Sequence, residues 1–102
     1  MQERARELPE AERWERDDLE SVYVIHAPEV GRVKIGLTKH DPATRLRTLQ
    51  VGSPCVLGLV RVIEGGWRKE QELHKRYAAH RVHGEWFSDA ILSALMDEPD
   101  GT

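Results

Sequence analysis

Residues 21–38 read SVYVIHAPEVGRVKIGLT, and this stretch decides the fold. Val22, Tyr23, Val24 and Ile25 concentrate β-branched and aromatic side chains, as a strand requires. Pro-Glu-Val-Gly at 28–31 supplies turn chemistry, and Arg32 to Leu37 return as a second strand. Strand, short turn and strand make an antiparallel hairpin on which later elements must pack. Asp41 followed by Pro42 then opens a helix, with an acceptor side chain at the cap and a preset φ at the first helical position. Leu46 and Leu49 give that helix an apolar face, and Gly52 stops it. A third strand is expected from Cys55 to Ile63, ended by Gly65-Gly66. Trp67 to about His80 carries Leu73, Tyr77 and Ala78 at helical spacing. Gly84-Glu-Trp-Phe is a short apolar segment, and Ser88 caps a last helix running through Met96. The order is ββαβα plus a C-terminal helix. It predicts a mixed α/β (α+β) domain with a three-stranded, mainly antiparallel sheet flanked by helices.

A chain of 102 residues supports one modest core. Residues 1–20 carry Pro9, Trp14 and Leu19 among charges without an apolar stripe, and read as a loosely docked helix or an extension. The domain proper is expected over 21–98, with 99–102 as a tail. No stretch approaches the roughly 18 apolar residues that span a bilayer, and no apolar segment follows the charged amino terminus. A soluble, intracellular, cytoplasmic protein with no membrane partner is expected. Cys55 is the single cysteine, which excludes an internal disulfide and a cysteine-rich zinc site, and it reads as a small core residue in a strand. The formal net charge of -3 conceals a basic centre. Residues 21–88 hold eleven bases and six acids, a net of +5, together with all five histidines. That distribution suits a polyanionic ligand.

Several residues carry chemical potential. Tyr23 and Lys34 lie on adjacent hairpin strands and share a face if the register pairs them. A phenol beside an ammonium is a candidate base for activating water, and a half-buried strand tyrosine is the alternative. Arg45 stands about one turn into the first helix. Its guanidinium fork matches phosphate oxygens and can stabilise charge developing on phosphorus; a solvated helix arginine is the alternative. Glu70 and His74, four apart, project from one helical face. A carboxylate there can hold Mg²⁺ or Mn²⁺, hard cations that prefer oxygen, and Glu85 competes for that role because Trp86 and Phe87 would anchor it beside the sheet. His74 is a candidate to donate to phosphate or to orient the tyrosine, against the plain reading of a surface partner for Glu70. Lys39, Arg47, Lys75 and Arg81 are candidates for contacting nucleic acid. His74, His80 and His83 could be imagined as zinc ligands, but His74 and His80 lie about 240° apart around a helix. Trp67, Trp86 and Phe87 read as core.

The order of these elements and residues resembles the GIY-YIG nuclease superfamily over about residues 21–88. The first motif is present as Ser-Val-Tyr at 21–23 and the second as Lys-Ile-Gly at 34–36. Arg45 follows on the first helix and a glutamate on the helix after the third strand. The run from Glu70 to His74 and the segment from Arg81 to Phe87, ending in GEWF, look like a phage- and bacteria-borne branch. The resemblance implies a divalent-metal-dependent endonuclease acting on DNA. Tyr23 would activate the nucleophile, Arg45 and His74 would stabilise the charge, and Glu70 would bind the metal, with Glu85 as runner-up. Lys34 stands where the motif usually has tyrosine, as a helper of the base or a phosphate contact. Members often carry a separate DNA-targeting domain, for which this length leaves no room, so specificity would be low or would come from a homodimer or a targeting partner. The rival is a non-catalytic module holding nucleic acid or protein on the same fold.

Overall fold

The computed structural model describes residues 20–99. The expected extension therefore lies outside the described residues apart from Glu20, as does most of the tail. β1 (Ser21–Ala27) and β2 (Arg32–Thr38) form the antiparallel hairpin, joined by a 3-10 turn at Pro28–Val30. Gly31 closes that turn with φ 66°, a left-handed conformation that costs glycine little. α1 (Pro42–Val51), β3 (Gly58–Glu64), α2 (Gly66–Arg76), β4 (Arg81–His83), β5 (Trp86–Ser88) and α3 (Leu92–Met96) follow, with 3-10 turns at Ala78–His80 and Asp89–Ile91.

The sheet has five strands in the order β3-β1-β2-β5-β4, with antiparallel neighbours throughout. This corrects the three-stranded expectation. The GEWF segment is not a lone apolar run: Val33 pairs Phe87 and Lys34 pairs Trp86, so β5 adds to the outer edge of β2, and β4 folds back onto it. Strands of three residues are too short to show an alternation that sequence can register. Two further boundaries move. The third strand begins at Gly58 rather than Cys55, because the Gln50 side chain donates to the Cys55 carbonyl and accepts from the Leu57 amide, satisfying that backbone without a strand partner. Cys55 accordingly sits half-buried before the strand. The second helix stops at Arg76, and the chain tightens into the 3-10 turn at Ala78–His80.

Alternation along β1 divides the interior in two. Val22 and Val24, with Val33, Ile35, Ile63 and Phe87, pack beneath Leu73 of α2 and Leu95 of α3. Tyr23, Ile25 and Ala27 face the opposite side with Leu57, covered by Leu46 and Leu49 of α1. Fully burying such side chains contributes roughly 1.5–3 kcal/mol each. α1 keeps its expected start, since the Asp41 side chain accepts from the Ala43 amide with Pro42 next in the chain. Ser88 caps as expected, accepting from the Ala90 amide, but the turn it opens is 3-10 before becoming α3. Among the described residues, no helix is long and apolar enough to cross a membrane.

Candidate functional site

The hairpin register sets Tyr23 opposite Gly36 and Ile25 opposite Lys34, so Tyr23 and Lys34 occupy diagonal positions on one face. Tyr23 is 1% exposed, and its hydroxyl has no hydrogen-bond partner among the described residues. Its ring fits because residue 36 has no Cβ, which would stand 2.3 Å from Cζ and Oη. A partnerless buried phenol is uncommon, because it forgoes hydration without replacement. The Lys34 ammonium is directed elsewhere, 3.0 Å from Glu85 Oε1 and 5.5 Å from the centre of the Trp86 ring.

Glu85 links this face to α2. The Glu70 carboxyl, buried beneath the helix, lies within hydrogen-bonding reach of Glu85. Burial first, and then the Glu85 charge, raise the pKa of Glu70 from 4.5 to about 7, with Glu20 adding a smaller push and a hydrogen bond from Gln71 opposing it. Sequence set Glu70 and Glu85 as competitors, and folding makes them neighbours. Such a donor set fits a hard divalent cation: two oxygen ligands are held together at a cost in repulsion that a cation would remove. Among the described residues, no group of three or more His, Cys, Asp or Glu side chains is arranged to hold a metal, and His80 and His83 are exposed on their own turn and strand.

His74 is placed by two contacts. Its Nε2–H donates to the Ile35 carbonyl at 2.9 Å, so Nδ1 is the acceptor for Arg81 Nη2 at 3.1 Å. The approach of Nε2 to Glu70, at 4.0 Å, is too long for a hydrogen bond. With both ring nitrogens engaged, His74 binds α2 to the middle of β2 rather than presenting a free donor. Arg45 is exposed on α1 and lines a depression of about 280 Å³ with Glu20, Leu37, Thr38, Lys39 and His40. A second depression, of about 460 Å³, is lined by Gln71, His74, Lys75, Ala78 and Arg81. Arg47 is turned along its helix to donate to Thr44 Oγ1.

The second half of β2 is thus the shared landmark. Tyr23 rests on Gly36, His74 holds Ile35, Arg45 opens beside Leu37 and Thr38, and Glu70 feels the charges of Glu85 and Glu20. Tyr23, Arg45 and Glu70 make no direct hydrogen bond or ion pair with one another among the described residues. Sequence reasoning missed Glu20, Thr38 and His40, none of which stands in a motif. It also missed Glu98, which is buried and receives hydrogen bonds from Lys69 and Arg76, tying α2 to the chain end.

A family model, that of the T5orf172 domain, a phage-associated, nuclease-like domain, matches residues 20–97. Comparison with curated proteins and with solved structures gives no match.

Proposed function

We propose that this chain, which belongs to the T5orf172 domain family, is a divalent-metal-dependent endonuclease of the GIY-YIG type that hydrolyses DNA phosphodiester bonds. One observation carries the reading: the buried Glu70 carboxyl is set against Glu85 and, through it, Lys34, on the strand whose far end opens beside Arg45. Carboxyls whose pKa is pushed up by burial and a neighbouring charge cluster at functional sites.

In this reading Tyr23 acts in its phenolate form, taking a proton from the attacking water and becoming the phenol that rests over Gly36. Arg45 receives two non-bridging phosphate oxygens through its fork and stabilises the charge that grows on them. Lys34 balances Glu85 and contacts phosphate when that carboxylate is otherwise engaged. Glu70 and Glu85 would hold Mg²⁺ or Mn²⁺, which supplies Lewis acidity and charge neutralisation at the leaving oxygen. Arg81, held by His74, extends the contact surface. Lys39, on the rim of the Arg45 depression, and Arg47 follow the flanking backbone.

The burial of Tyr23 favours a second reading, a module on this fold that holds nucleic acid without cutting it. Plasmid incubated with the protein and Mg²⁺ or Mn²⁺, against an EDTA control, separates the two. Nicking that disappears in Arg45→Ala and Glu70→Ala proteins of unchanged circular dichroism is the expected result. Plasmid left intact across both metals and several pH values would transfer the assignment to the binding module.

A further inference from the structure

Among the basic side chains around α2, most have carboxylate partners. Lys34 pairs Glu85, Lys69 pairs Glu72 and Glu98, and Arg76 pairs the same two acids. Lys75 and Arg81 differ: neither makes an ion pair among the described residues, and both line the depression between α2 and β4, to which no acid contributes. The guanidinium of Arg81 is nevertheless held in place. Nη2 donates to His74 Nδ1, and Cζ lies 5.4 Å from the centre of the Phe87 ring, whose side chain is fully buried. His74 is itself fixed by the Ile35 carbonyl and by an edge contact with Phe87 at 5.2 Å.

We infer that this depression is a second phosphate subsite, in which Arg81, positioned by His74 and assisted by Lys75, binds a backbone phosphate of duplex DNA away from the scissile bond. A tethered, stacked guanidinium loses little freedom on binding, and its remaining N–H groups match a phosphodiester's oxygens. Two cations with no carboxylate partner among the described residues, on a depression whose lining holds no acid, favour an external anion. His74 acts through Arg81 and is a positioning residue. The inference rests on DNA being the ligand of the proposed function, though not on the chain cutting it.

The test is binding of a labelled duplex to the full chain by fluorescence anisotropy, in EDTA so that cleavage does not intervene, across a series of salt concentrations. Arg81→Ala should weaken binding about tenfold and reduce the slope of log affinity against log salt by about one, the signature of one lost phosphate contact. Arg81→Lys keeps the charge and should keep the slope while losing affinity, because the fork is gone. His74→Gln preserves a donor toward Ile35 but offers no acceptor at the Nδ1 position. It should cost about threefold alone and nothing further in the Arg81→Ala background. Should Arg81→Ala fail to melt cooperatively, Arg81→Lys decides alone, and wild-type affinity in that variant would overturn the subsite. Wild-type affinity and slope in a folded Arg81→Ala protein, or the absence of duplex binding by the wild-type chain, would overturn it equally. Nicking measured in parallel keeps the two ideas apart. A protein that binds through Arg81 and never nicks retires the nuclease, and one that nicks with normal Arg81→Ala binding retires the subsite.

Discussion

The ring of Tyr23 lies across the backbone of Gly36, its cross-strand partner, so closely that a methyl group at residue 36 would stand 2.3 Å from the phenolic oxygen. The glycine of the Lys-Ile-Gly motif is therefore a seat for the tyrosine of the Ser-Val-Tyr motif. Two short motifs on different strands describe one packing event.

Gly36→Ala tests that seat. The contact is with a ring fully enclosed by neighbours, so relief requires displacing either Tyr23 or β2. A loss of about 3 kcal/mol is expected, at the upper end for overpacking, visible as a fall of more than about 10 °C in melting temperature. A stable Gly36→Ala protein would show that the tyrosine has another place to go.

Tyr23→Phe should behave in the opposite manner. Removing a buried hydroxyl that has no partner among the described residues is neutral or stabilising by about 1 kcal/mol, while nicking should be lost. Retained nicking in a stable Tyr23→Phe protein would remove Tyr23 from the chemistry.

Glu70 makes stability depend on pH. Its folded pKa of about 7 exceeds the ordinary 4.5, so between those values the native state holds a proton that the unfolded chain has released. Stability is complete below about 4.5 and declines as pH rises through 7, by about 3 kcal/mol in all. Glu70→Gln removes the titration, so its advantage in melting temperature over wild type should grow by about 10 °C from pH 5 to pH 8. Mg²⁺ should raise the melting temperature of wild type at pH 8 and leave Glu70→Gln unmoved. Parallel melting curves at all pH values would contradict the burial of a strained carboxyl.

Glu98 titrates in the other sense. Burial raises its pKa, but hydrogen bonds from Arg76 and Lys69 outweigh that and hold it below the usual carboxylate value. Its stabilisation is present above about 4.5 and is lost as pH falls through the lower folded value. Glu98→Ala leaves Lys69 without its buried partner and should cost about 2 kcal/mol near neutral pH, as read by denaturant melts. Nicking by the folded fraction should persist.

Arg45→Ala addresses the transition state directly. The side chain is exposed on α1, so melting should be unchanged, while nicking should fall on the order of 10²–10³-fold. A parallel loss of fold would make Arg45 structural instead.

The hairpin, the Asp41 cap and the apolar side of α1 were legible because each signal lies within a few neighbouring positions. Val22 and Val24 alternate with Tyr23 and Ile25, and that alternation alone states which side chains share a face. β5 was not legible. Trp86 and Phe87 alternate over too few residues to signal a strand, and their pairing is decided by the edge of β2. The same holds for Glu98, whose partners Lys69 and Arg76 lie on a helix far back in the chain.

By itself the sequence determined the hairpin, the capped start of α1 and the order of the longer elements, and it offered residues whose chemistry suits a phosphate. Only the tertiary structure decided that Glu70 and Glu85 share one place, that Lys34 answers Glu85 rather than Tyr23, and that both nitrogens of His74 are engaged. The reason is physical. Local conformation follows from steric and hydrogen-bonding preferences of adjacent residues, whereas these contacts depend on the register of β5 against β2 and the rotation of α2 over the sheet, which the packing of the whole core sets.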